Sequence, residues 1–268
     1  MARELAGGKI RLDEPAEAVT RLRIANPAKR NALDHETLDA LAAVLPELDR
    51  GIEQRCLLIT GEPPVFSAGY DIGSLSEETF SRDAEALVAH PFHRGLEALA
   101  RHPWPTVAAV NGSALGGGLE LAITCDIRVC AAGAKLGMPP AKLGLIYSHT
   151  GLRKFIDVIG TPWTKHLFLT GRTLPAGKAM EIGLVHEVFA DDELEDAGVA
   201  LAAEIAANAP ISMRGNKAAI DLLNANPKLS HQQEQGLVAL RESCFASEDL
   251  REGIRAFAEK RKPQWKGR

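Results

Sequence analysis

Residues 110–126 (VNGSALGGGLELAITCD) run from a short apolar stretch through a turn into Gly116, Gly117 and Gly118, and then into a helical pattern. Glycines there leave the backbone open to a ligand, and the helix start beyond them offers N–H groups without intrahelical acceptors and a dipole that favours negative charge. Such a segment can hold a phosphate or an oxyanion. Its spacing fits neither G-x-x-x-x-G-K-[ST] nor G-x-G-x-x-G, which disfavours a nucleotide-phosphate loop. Close helix–strand packing is the other use such glycines could have. Residues 65–72 (VFSAGYDI) follow a second apolar run and could present further backbone amides from an irregular turn. Two loops of this kind matter together, because an oxyanion hole needs preorganised donors converging from separate places.

The elements that must carry these loops alternate. Residues 18–24 have the period of a strand, whereas residues 34–48 set Leu38, Leu41, Leu45 and Leu48 on one helical face behind Asp34 as N-cap. Residues 56–60 (CLLIT) and 106–110 (TVAAV) are short apolar runs ending at Gly61 and Asn111-Gly112, as buried strands do. Residues 127–131 and 185–189 predict further strands, the second after a helix that Gly183 ends. From Glu193 onward the pattern is helical, interrupted at Pro210 and at Asn226-Pro227. A run over 231–245 follows, and a last helix opens at Ser247 before Glu248-Asp249. The fold class is α/β, divided into a mixed core over 1–195 and a helical region over 196–268.

Composition sets limits. The 268 residues, 46% hydrophobic and 25% charged, suffice for a substantial core. A net charge of −4 supplies no general basic field for nucleic acid, so any anionic ligand must be met by local Lys and Arg. Cys56, Cys125, Cys130 and Cys244 lack the CxxC pairs of a zinc site and the density of a disulfide scaffold, and His90, His93 and His102 form no ligand pattern. No metal is expected. No window approaches the ~18 apolar residues of a membrane span, and the first residues lack the apolar core of a signal peptide. These features predict a cytoplasmic protein with buried thiols. Trp104 and Trp163 read as core or interface residues.

Several ordered motifs carry a resemblance: NPAKRNAL (26–33), FSAGYD (66–71), AVNGSALGGGLEL (109–121), CDIR (125–128), PAGKAMEIGLVHEV (175–188) and SEDLREGIRAFAEKRKP (247–263). Together they resemble the crotonase, or enoyl-CoA hydratase/isomerase, superfamily over nearly the whole chain. The resemblance implies a crotonase-like superhelix of β-β-α turns, with a C-terminal helical region that builds homotrimers or hexamers. It implies an acyl-CoA substrate, with coenzyme A as part of that substrate and no separate cofactor. It places the oxyanion hole on the N–H groups of Tyr70 and Gly117, which makes the Tyr70 side chain secondary. Substrate or coenzyme A contacts fall on Lys29, Arg30, Ala68, Asp71, Gly116 and Pro140, with Phe257 and Lys260 reaching coenzyme A from the last helix, in some relatives across a subunit boundary. Gly73 stands where many relatives carry a Lys that would meet phosphate.

Glu120 matches one of the two glutamates with which hydratases of this family handle water; its other reading is a helix-start carboxylate stabilised by the dipole. Pro140 occupies the place of the second glutamate and can neither take nor give a proton. The segment LGMPPAKLGLIY (136–147) is similar to the methylmalonyl-CoA decarboxylase branch, which has a tyrosine where Tyr147 stands. Loss of carbon dioxide forms the enolate without a base, so an oxyanion hole, a pocket disfavouring the solvated carboxylate and an acid at Tyr147 would suffice. Tyr147 could equally be a packed loop aromatic. His149 is the nearest histidine to this group. The sequence therefore favours decarboxylation of a malonyl-type thioester. Hydration or isomerisation through Glu120 is the alternative, and a non-catalytic acyl-CoA or RNA binder is a third possibility.

Overall fold

The computed structural model describes residues 3–49, 51–71, 93–226 and 228–268. Gly73 and His90, both considered above, lie outside the described residues. Strands β1 (Arg3–Leu5), β2 (Ile10–Ala16) and β3 (Val19–Ile24) form an antiparallel meander, and α1 (His35–Glu47) follows. Asp34 caps α1 as its pattern requires, accepting from the Thr37 amide at 2.9 Å, and Leu38, Leu41 and Leu45 are buried along its inner face.

Beyond α1 the chain repeats one path. The strand β4 (Cys56–Gly61) leads to a short β5 (Val65–Ser67), and α2 (His93–Ala100) packs against α1. The next turn is β6 (Thr106–Val110), short β7 (Ser113–Leu115) and α3 (Gly117–Thr124); the next is β8 (Ile127–Ala131), short β9 (Lys135–Gly137) and α4 (His149–Thr170). Each turn of the spiral thus gives one strand to each of two sheets. The larger sheet has the order β1-β2-β3-β4-β6-β8-β11, with β11 (Glu187–Phe189) following β10 (Thr173–Pro175) and α5 (Ala176–Glu181) in the chain. The smaller sheet has the order β10-β9-β7-β5, in which β5, β7 and β9 are parallel. β4 and β6 are buried along their whole length, which explains their unbroken apolar runs.

The expected superhelix of β-β-α turns is therefore present. The helix that spans the expected division at 195, α6 (Leu194–Ala206), lies on β3, β4, β6 and β8, so packing onto the larger sheet extends past that point. Pro210 begins a helix instead of merely breaking one: α7 (Pro210–Ala225) starts on it, where a missing N–H costs nothing. Helices α8 (His231–Ala246) and α9 (Glu248–Glu259) complete the chain, with Ser247 capping the latter by accepting from the Leu250 amide at 3.0 Å. Cys56, Cys125 and Cys130 are buried, all the cysteines are free thiols, and Trp104 is part of the interior. Among the described residues no helix is long and apolar enough to cross a membrane.

Candidate active site

The smaller sheet explains why the two glycine loops meet. β5 and β7 are parallel neighbours, pairing Val65 with Ser113 and Ser67 with Ala114, so Ala68-Gly69-Tyr70 and Gly116-Gly117 leave adjacent strand ends. Open α/β arrangements bind ligands at that end of the strands. Contact between the loops is direct. A Cβ on Gly69, whose φ is +92°, would lie 2.6 Å from the Leu115 carbonyl oxygen and 3.0 Å from the Gly117 nitrogen; one on Gly118 would lie 2.5 Å from the Ser67 carbonyl oxygen. Gly118→Ala is accordingly expected to destabilise the fold by about 1–3 kcal/mol in a denaturant titration, as overpacking does, and to lower turnover by prising the loops apart. An unchanged midpoint would refute the contact.

Gly117 is the first residue of α3, so its N–H has no acceptor within the helix. The Tyr70 backbone is fixed from the other side: Leu33 donates to the Gly69 carbonyl at 2.7 Å, and the Asp71 amide donates to the Leu33 carbonyl at 3.1 Å. In such a parallel bridge the middle residue's own N–H is directed away from the partner strand. Both amides proposed for the oxyanion hole thus sit in backbone whose orientation is set by neighbours.

Glu120 lies one turn into α3, and its side chain is only 3% exposed. Its Oε2 accepts from the Tyr147 hydroxyl at 2.5 Å, and its Oε1 lies 3.4 Å from Lys154 Nζ. Lys154 also donates to Thr124 Oγ1 at 2.8 Å. The Tyr70 hydroxyl is hydrogen-bonded to that of Tyr147. Since Tyr147 gives its one proton to Glu120, it accepts from Tyr70. Burial, reinforced by the nearby Glu120 charge, holds the Tyr147 hydroxyl well above the ordinary tyrosine range, and the same two causes raise that of Tyr70. Both therefore remain protonated donors at neutral pH. The Tyr147 ring is set edge-on against Phe168 with centroids 5.4 Å apart, which fixes where its hydroxyl points.

Among the expected ligands of coenzyme A, Lys29, Arg30, Ala68 and Asp71 come together. The Ala68 amide donates to the Arg30 carbonyl at 3.0 Å, and Lys29 Nζ is 2.5 Å from Asp71 Oδ2. Asn31 ties this corner down, its Nδ2 donating to the carbonyls of Glu62 and Val65, both at 2.7 Å. At Gly116 the backbone is open, with nothing within 4 Å of where a Cβ would stand. Phe257 and Lys260 are placed differently. They lie at the end of α9, which packs chiefly on α8, and Phe257 is 87% exposed; this chain's own fold does not bring them to the two loops.

Pro140 follows the third parallel strand, β9, and is buried at the head of a 3-10 turn, so the strand-end position equivalent to the glycine loops carries no ionisable group. His149 is the exposed first residue of α4. Two features escaped the sequence reading. The Tyr70 side chain is part of the hydrogen-bonded group, contrary to the secondary role expected for it, and Lys154 joins Glu120 directly. No local signal marked Lys154: it lies one turn beyond Gly151 on α4, and a Cβ on Gly151 would stand 3.0 Å from Glu120 Oε2. Among the described residues no cluster of His, Cys, Asp and Glu could hold a metal ion.

The family model described as enoyl-CoA hydratase/isomerase matches residues 14–268. A probable enoyl-CoA hydratase of Bacillus subtilis is 37% identical over 249 residues, spanning 92% of this chain and 94% of the relative. The 2,3-dehydroadipyl-CoA hydratase of Escherichia coli is 32% identical over 256 residues, spanning 94% and 96% respectively. The crystal structure of an enoyl-CoA hydratase from Bacillus anthracis superposes with a TM-score of 0.87 at 32% identity, covering 97% of this chain and 100% of that one.

Proposed function

The chain belongs to the enoyl-CoA hydratase/isomerase family, within the crotonase superfamily, and from that premise we propose that it hydrates an α,β-unsaturated acyl-CoA with Glu120 as its acid-base group. The observation that carries this reading is the buried Glu120 carboxylate, held at both oxygens beside two backbone loops that can grip a thioester oxygen. The hydratase names of the relatives move hydration ahead of the decarboxylation expected from the sequence.

In the proposed step the Glu120 carboxylate takes a proton from water as the water oxygen bonds to Cβ. The π pair of the double bond moves toward Cα and the thioester oxygen, whose growing charge is met by the Tyr70 and Gly117 amides. The proton held by Glu120 then passes to Cα, directly or by exchange through the Tyr147 hydroxyl, and the carboxylate is restored. Water has been added and no proton is left over. Lys29 and Arg30 are the proposed contacts for the coenzyme A phosphates.

Decarboxylation of a malonyl-type thioester is kept as a second reading because Pro140 stands where the second carboxylate would be, while Tyr147 is a neutral proton donor in place. Incubation with crotonyl-CoA and methylmalonyl-CoA in parallel tests both. We expect turnover of crotonyl-CoA; turnover of methylmalonyl-CoA alone would replace hydration by decarboxylation. A trimer or hexamer is proposed from the helical tail, where α8 buries no side chain and Ile220, Leu223, Phe245 and Ile254 are exposed. A cytoplasmic location is proposed from the unpaired thiols.

A further inference from the structure

Lys154 has no part in the two-glutamate scheme, yet it is tied to the centre of the site. Its ammonium reaches from α4 across to α3, where it donates to Thr124 Oγ1 at 2.8 Å and stands 3.4 Å from Glu120 Oε1. Thr124 is itself aimed by donating its own proton to the Glu120 carbonyl at 2.7 Å, which leaves its oxygen free to accept from Lys154. Among the described residues Lys154 is the one cation in ion-pair range of Glu120, a side chain buried to 3% exposure. A charge taken out of water to that extent is costly unless an opposite charge stands beside it.

The surroundings leave Lys154 committed to this contact. Among the described residues the other groups facing Glu120 are the Tyr70 and Tyr147 hydroxyls, both neutral. The Cys125 thiol near Lys154 is also neutral, pushed by burial to about 12. On its outer side Lys154 borders a cavity of about 660 Å³ whose charged lining includes Asp126, Arg128, Asp157, Lys217 and Asp221. Asp157 is paired with Arg153 at 2.8 Å and Asp126 with Lys217, while burial holds the Asp221 carboxyl above the ordinary range. Glu120 is the carboxylate that Lys154 meets.

We propose that Lys154 is a positioning residue for Glu120, its ammonium, anchored on Thr124, holding one carboxylate oxygen while Tyr147 holds the other. The inference rests on the acid-base role proposed for Glu120. It has an alkaline consequence. Burial lowers the Lys154 pKa from the ordinary lysine value, so its charge is lost earlier than that of a surface lysine and activity falls with it. An arginine there keeps its charge and extends the plateau.

The test compares wild type, Lys154→Met and Lys154→Arg by the infrared carboxylate band that Glu120→Gln removes, read at one pH, together with pH profiles of kcat/KM. We expect that band to change frequency in Lys154→Met and to return in Lys154→Arg, which should also delay the alkaline fall. Coincident bands in wild type and a folded Lys154→Met would overturn the assignment, even if Glu120→Gln abolished turnover. A shifted band in a protein that turned over neither thioester would support the Lys154–Glu120 coupling while removing the hydration proposal.

Discussion

Glu120→Gln is expected to lower kcat on crotonyl-CoA by about 100- to 10,000-fold, the range that general acid-base catalysis commonly supplies, with KM changed only a few-fold. Glutamine has the same shape and can still accept from Tyr147, so the packing between α3 and α4 should survive and the loss falls on chemistry. What the amide cannot do is take a proton from water. Because Pro140 leaves the equivalent end of β9 without an ionisable group, no second carboxylate stands there to share the loss. Steady-state kinetics beside a thermal melt would check this. Activity on crotonyl-CoA within threefold of wild type, in a folded variant, would remove Glu120 from the mechanism. The same variant also separates the two readings, since forming an enolate by loss of carbon dioxide requires no base. A methylmalonyl-CoA activity that survived Glu120→Gln would favour decarboxylation.

How much of this was legible in the sequence depends on how locally each feature is encoded. The strands β4 and β6 were visible because they are buried on both faces, and α1 because its cap and apolar face are written in consecutive residues. The smaller sheet left no such trace. Its strands β5, β7 and β9 are three residues each, too short for a period, yet they bring the Tyr70 and Gly117 loops side by side. The family motifs named those loops, whereas the parallel pairing supplies the physical reason they meet. Lys154 was invisible for another reason. A lysine inside an amphipathic helix ordinarily belongs to its solvated face, and only the approach of α3 turns this one inward. Tyr70 was underestimated because the role expected of its backbone drew attention away from the side chain. In each case the missing information is a contact between elements distant in sequence.

The backbone donor at Gly117 gives the other large effect. Gly117 is the first residue of α3, a helical position that accepts proline well because its N–H makes no bond within the helix and its φ suits the ring. The preceding residue, Gly116, has no Cβ for the ring to strike, which lifts one of the two clashes that restrict the residue before proline. Gly117→Pro is therefore closer to deletion of a single N–H than to breakage of a helix. Loss of one oxyanion-hole donor commonly costs ~3 kcal/mol of barrier, so kcat should fall by about 100- to 1,000-fold. The expectation holds for hydration and decarboxylation alike, since both pass through a thioester enolate. It also divides the site: the Glu120 variant tests the proton, and the Gly117 variant tests the charge left on oxygen. A folded Gly117→Pro protein with near-normal rates on an accepted thioester would mean that the enolate is stabilised elsewhere, and the functional weight of the β5 and β7 loops would fall with it.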